Sequence, residues 1–164
     1  MNKQIIGIVL LIIVIVGWYL FRPEKLIIDS KVNEDFPAIK GEQANKNNAK
    51  PRVLLTGNFH EVAHPASGTA AIYKLPDGKL ILRFTDFKVS NGPDVVVYLS
   101  VLNDSNDNDS IKNSGFISLG SMKGNVGDQN YELPDNLDIN EYKSVVIWCK
   151  RFGVNFAVAP LKPG

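Results

Sequence analysis

The chain has a single cysteine, Cys149, and two histidines, His60 and His64. One thiol cannot close an internal disulfide, so Cys149 is packing material, a ligand, a redox group or a link to another molecule. Two histidines leave little material for a histidine-rich metal centre. No window after residue 50 carries helical periodicity of useful length, which argues against an all-α or α/β domain. Charge of one sign is also missing: Lys and Arg number 18, Asp and Glu 17, and the two signs are interspersed. Without a basic patch, nucleic-acid binding is disfavoured. Gly124–Asn130 is glycine-rich but lacks the Gly-Lys-Ser/Thr ending of a phosphate loop. Ser67-Gly68 is not a strained nucleophile elbow, and no triad order accompanies it.

What the chain does have is one long apolar run, Ile5–Phe21, preceded by Lys3 and followed by Arg22, Pro23 and Lys25. As a helix it rises about 26 Å, at the short end of a transmembrane span. Trp18 and Tyr19 stand where interfacial aromatics belong. No small-residue cleavage motif follows, so residues 1–21 read as an uncleaved signal anchor. Residues 22–51 read as a flexible tether, ending in the polar stretch Gly41–Pro51, which has too little apolar surface to offset chain entropy. The bulk of the chain follows the anchor, which predicts a membrane-anchored protein whose domain lies outside the cytoplasm.

From Arg52 the pattern changes to period two. Leu80, Leu82 and Phe84 alternate with Ile81, Arg83 and Thr85; Val95, Val97 and Leu99 alternate with Val96, Tyr98 and Ser100. The spacing predicts strands near 52–59, 68–75, 79–89, 94–102, 116–119, 130–133, 143–150 and 154–160. Leu75-Pro76-Asp77-Gly78-Lys79 reads as a hairpin turn. Residues 52–164 are therefore expected to form an all-β domain, a β-sandwich or compact β-barrel of about seven or eight antiparallel strands, preceded by the N-terminal transmembrane helix. Asn103–Ser114 reads as a solvated polar loop; it starts like a calcium loop but lacks the glycine and the final glutamate that such a loop requires.

The chemistry-bearing candidates are few. His60 and His64 open a loop before Ser67 and could converge with Cys149 on a metal, as two His, one Cys and a weak Met do in copper sites. Met122 is the only methionine beyond the initiator, but neither His nor Met follows Cys149. Cys149 shares a strand face with Val145 and Ile147, which predicts burial.

The ordered blocks resemble the DM-thirteen domain family. They are Gly57-Asn58-Phe59, His64 with Ser67-Gly68-Thr69-Ala70, Leu82-Arg83-Phe84, and Asn91-Gly92-Pro93-Asp94. Leu119-Gly120 follows, then Gly127-Asp128-Gln129-Asn130-Tyr131, and finally Tyr142–Cys149 with Phe152, Val154 and Phe156. The resemblance implies an extracytoplasmic β-sandwich-like module with a redox role around the cysteine at position 149. It makes Cys149 the candidate redox group, with His64, His60 and Asp94 as candidate partners or ligands and no assigned catalytic or metal residues. It points to a redox carrier rather than an enzyme, with a redox protein as partner and haem or copper as candidate cofactors. The competing expectation is a non-catalytic binding or adhesion sandwich whose cysteine is structural.

Overall fold

The computed structural model describes residues 2–21, 28–37, 50–104 and 106–164. Leu26 and Ile27, whose apolar character with Ile28 fits either a short strand or a continuation of the tether, lie outside the described residues, as does most of the polar stretch from 41 to 51.

Helix α1 spans Lys3–Phe21. Its described large apolar side chains are exposed, from Ile6 at 39% to Tyr19 at 79%. Among the described residues, however, no helix is long and apolar enough to cross a membrane. This corrects the expected transmembrane span. The shortfall has a simple geometric side: the run rises about 26 Å against a hydrocarbon core of roughly 30 Å.

Ten strands follow. They are β1 (Arg52–Asn58), β2 (His60–Glu61), β3 (Ala66–Lys74), β4 (Leu80–Val89), β5 (Val95–Ser100), β6 (Phe116–Ser121), β7 (Gln129–Glu132), β8 (Ser144–Cys149), β9 (Val154–Pro160) and β10 (Lys162–Pro163). They make two five-stranded sheets, ordered β10-β1-β3-β4-β7 and β2-β9-β8-β5-β6, and every named strand pair is antiparallel. The expected sandwich forms; the barrel alternative does not, because the sheets stay separate rather than closing into one. The eight expected strands are all present within a few residues. The two additional ones, β2 and β10, are two-residue edge strands too short to leave a period-two signature.

The core lies between the sheets. Ala70, Ile72, Leu82 and Phe84 meet Val97, Leu99, Val145, Ile147 and Ala157, all fully buried. The rings of Phe59, Phe84 and Phe87 pack on one another at centroid distances of 4.8–4.9 Å. The odd-numbered face of β8 points into this core. The even-numbered face, Val146 and Trp148, joins Val96, Tyr98, Val158 and Ile111 in a second apolar cluster outside the sheet.

Ile111 belongs to α2 (Asn108–Asn113), where a solvated loop was expected. Asp107 caps it by accepting from the backbone N–H groups of Asp109 and Ser110. Ile111 anchors it and is only 1% exposed. One buried side chain, rather than a periodic apolar stripe, holds this single turn and a half in place.

The stretch 28–37 departs from the expected tether. It lies along the domain as an extended strap. The Val32 and Glu34 N–H groups donate to the Val126 and Asp128 carbonyls, both at 2.9 Å. The Glu34 carboxylate accepts from Lys123 Nζ at 2.7 Å and from the Asn130 N–H at 2.7 Å. Phe36 meets Tyr73 edge-on at 5.0 Å and lies under the Arg83 guanidinium. Gly127 makes this close approach feasible: a Cβ there would stand 2.0 Å from the Val32 carbonyl oxygen, and its φ of +103° is one that glycine adopts without strain.

Candidate functional site

Cys149 ends β8, where every residue is buried. Its neighbours across the sheet are Val95 on β5 and Val154 on β9. The side chain points into the inter-sheet core with Val145 and Ile147, as the alternation predicts. The residue has no exposed surface, and its Sγ donates to the Pro93 carbonyl oxygen at 3.1 Å. That bond uses the thiol proton, so a thiolate cannot make it.

Pro93 sits in the bend Asn91–Asp94, which leads into β5 and covers the end of β8. Gly92 is required here by space: a Cβ would stand 3.0 Å from two atoms of the Phe156 ring and 3.1 Å from Val95 Cγ2. Asp94 has φ of +57°, an unusual backbone for a residue with a side chain. Its carbonyl accepts from the Lys150 N–H at 3.0 Å. Asp94 is exposed, and the group that meets the Cys149 thiol is the backbone carbonyl of Pro93.

His64 reaches the same end of the sandwich from the other side. Its ring packs on Phe156 with centroids 4.0 Å apart, and its N–H donates to the Phe156 carbonyl at 3.2 Å. Phe156 therefore stands between His64 and the Gly92–Pro93 bend, and the bend stands over Cys149. His60 is drawn elsewhere: Nε2 lies 3.0 Å from Asp104 Oδ1 and Nδ1 lies 3.0 Å from the Glu61 carbonyl.

This arrangement tests the copper reading. One histidine has both ring nitrogens engaged by oxygen, the other lies against a phenyl ring, and the thiol faces a carbonyl. Among the described residues no group of three or more His, Cys, Asp or Glu side chains is placed to hold a metal ion. The donor set the sequence suggested is not assembled, and no chemistry is routed through it.

A groove of about 630 Å³ lies beside the bend. Asn91, Gly92 and Asp94 form one wall, Met122 and Arg151 contribute, and Ile28–Ser30 of the strap close the opposite side. Sequence reasoning missed Arg151 and the strap and weighed Met122 only as a metal ligand, because no local pattern ties residues so distant along the chain to one groove. Asn125 was also missed. It is 1% exposed, and its side chain donates to the Val89 carbonyl at 2.9 Å and to Asp29 Oδ1 at 2.7 Å, while accepting from the Ser30 N–H at 2.6 Å. A lone asparagine inside a glycine-rich stretch, Gly124-Asn125-Val126-Gly127, was the available signal.

Below the strap, Tyr131 is buried and donates to Gln129 Oε1 at 2.6 Å. Burial pushes its phenol well above the usual range, against a small opposing effect of the Lys123 N–H. Partial burial works against ionisation of Glu34, but the Lys123 ammonium and the Asn130 N–H outweigh it and hold the carboxyl below its ordinary value.

No curated protein and no solved structure matches the chain. A family model does, over residues 58–161, from the end of β1 to the residue after β9. This span contains the cysteine, the bend, both histidines and the groove's Met122 and Arg151, and it leaves α1 and the strap outside. The chain belongs to the electron transfer DM13 family.

Proposed function

We propose that this protein is a redox module held at a membrane by α1, with its domain outside the cytoplasm and Cys149 as its redox group. The observation that carries the reading is the placement of the sole thiol, within a domain of an electron-transfer family, directly behind a glycine–proline bend that borders a groove. A lone thiol has no resolving partner in the chain. A two-electron cycle therefore needs sulfur from outside: Cys149 attacks a disulfide, one S–S bond breaks, a mixed disulfide forms, and the partner leaves as a thiol that takes the proton from Cys149. A second external thiol then releases Cys149 reduced. Such a cycle requires a redox protein or small thiol as partner. The direct test is the absorption spectrum of the natively purified chain before and after oxidant, with the state of Cys149 read by mass spectrometry. A colourless protein whose thiol stays unmodified would overturn the reading.

Membrane attachment is supported by the composition of α1, apolar on all faces and exposed. Detergent-free extraction at high pH should leave the chain with the membrane fraction, and protease added to spheroplasts should reach the domain.

One observation favours a second reading, a binding or adhesion sandwich with a structural cysteine. Cys149 is sealed in the core and its S–H is already satisfied by Pro93. In that case the thiol stays inert under native conditions and the chain binds its partner unchanged by Cys149→Ala.

A further inference from the structure

The strap and the thiol are joined by a short series of contacts. Asn91 Nδ2 donates to the Ile28 carbonyl at 2.9 Å, while Asn91 Oδ1 accepts from the Gly92 N–H at 2.9 Å. The strap thereby holds the first residue of the bend whose Pro93 carbonyl faces Cys149. Asn125 fastens the same end of the strap to the end of β4 through Asp29, Ser30 and Val89. Further along, Glu34 clamps the strap to Lys123 and Asn130. Backbone pairs to Asn125, Val126 and Asp128 and the side chains of Arg83 and Asn130 complete the docking; most of these ties are polar and partly exposed and lie outside the aromatic core, so they can open without disturbing it. The groove between strap and bend supplies room for the bend to move into. The bend itself carries the positive φ of Asp94, a conformation that persists only while its surroundings hold it. In chain order the strap lies between α1 and the domain, so a pull between membrane and domain reaches it first.

We propose that residues 28–36 form a latch: docked, they brace the Asn91–Asp94 bend and seal the Cys149 thiol; released, they let the bend swing into the groove and admit a thiol or disulfide reagent. The use of this latch in redox exchange rests on the function proposed above, whereas the latch itself is a statement about access to Cys149.

The test is the native labelling rate of Cys149 by iodoacetamide in the full chain, held in detergent micelles and read by mass spectrometry. Wild type is compared with Glu34→Ala, which breaks the Lys123 and Asn130 clamp, and with Asn91→Ala, which cuts the tie from strap to bend. Glu34→Ala loses a charge-assisted bond to the half-exposed Lys123 and one to the partly buried Asn130 N–H, together a shift of about tenfold in an opening equilibrium, whereas Asn91→Ala loses one exposed neutral bond, a shift of about two- to fivefold. Each variant is expected to label faster by its own factor, with a urea dependence far shallower than that of global unfolding. Lys123→Ala substitutes for Glu34→Ala should the latter fail to fold. Any other outcome, whether an unchanged rate in either variant or an acceleration that follows global unfolding, overturns the latch. The redox reading is judged separately: it fails if Cys149 exchanges with no disulfide in wild type and in the strap-released variants alike.

Discussion

Replacing Cys149 with alanine separates packing from chemistry. The side chain is fully buried between Val95 and Val154, on the face that Val145 and Ile147 also contribute to the core. Deleting the sulfur loses the transfer free energy of one apolar group and leaves a small void that the flanking strands fill only in part, a cost of about 1–2 kcal/mol. It also strips the Pro93 carbonyl of its donor, adding up to about 1 kcal/mol if water cannot reach that oxygen. The total of roughly 1–3 kcal/mol should lower the thermal midpoint of a domain of this size by roughly 4–12 °C. Urea denaturation of the full chain in micelles, followed by tryptophan fluorescence, measures it; Trp148 lies next to the substitution on the opposite face of β8. Stability within about 0.5 kcal/mol of wild type would refute the packing and hydrogen-bond reasoning. Wild-type labelling by alkylating agent as fast as that of an unfolded control would refute the burial itself.

Three further outcomes follow from other parts of the molecule. Phe84→Ala removes a fully buried ring packed on Phe59, Phe87 and Tyr131 and should cost about 3–5 kcal/mol in denaturant titrations. Gly127→Ala places a methyl group against the Val32 carbonyl and strains a φ of +103°; amide exchange at Val32 and Glu34 should accelerate markedly, while that of β8 slows or holds only if the core stays intact. The Glu34 carboxyl sits below its ordinary value in the folded chain. Its contribution to strap docking is therefore complete above the usual glutamate range and lost as pH falls through the lowered value. Exchange protection at the Val32 and Glu34 amides should fall across that acid window in wild type and show no such step in Glu34→Gln.

The sandwich was legible because its central strands alternate cleanly. Val145, Ile147 and Cys149 face inward and Val146 and Trp148 outward, a division that period two alone dictates. Cys149 as the candidate group and its burial follow from local sequence or from the family resemblance, whereas the carbonyl it meets belongs to Pro93 rather than to the expected partner Asp94. The strap was not legible. Residues 28–37 have the composition of a linker, and they dock through backbone hydrogen bonds and a few side chains on Lys123, Asn125 and Asn130, nearly a hundred positions away in sequence. Backbone pairing of this kind leaves no mark on residue choice except the glycines that make room for it. Helix α2 was hidden for a related reason: its signal is one capping aspartate, Asp107, and one buried isoleucine, Ile111, in a run of polar residues. The two histidines were read together because they are four apart, yet β2 turns His60 toward Asp104 while the chain carries His64 onto Phe156.

The central claim is that Cys149 exchanges electrons, and the most direct measurement is thiol–disulfide exchange in a graded glutathione redox buffer. The natively purified full chain is quenched with acid and weighed by mass spectrometry across the series. The account predicts one glutathione per chain, located at Cys149, its fraction rising with the proportion of oxidised glutathione and increased when the strap is released by Glu34→Ala, with no adduct in Cys149→Ser. A chain that stays unmodified at every ratio, with and without a docked strap, would contradict it and leave Cys149 as part of the core alone.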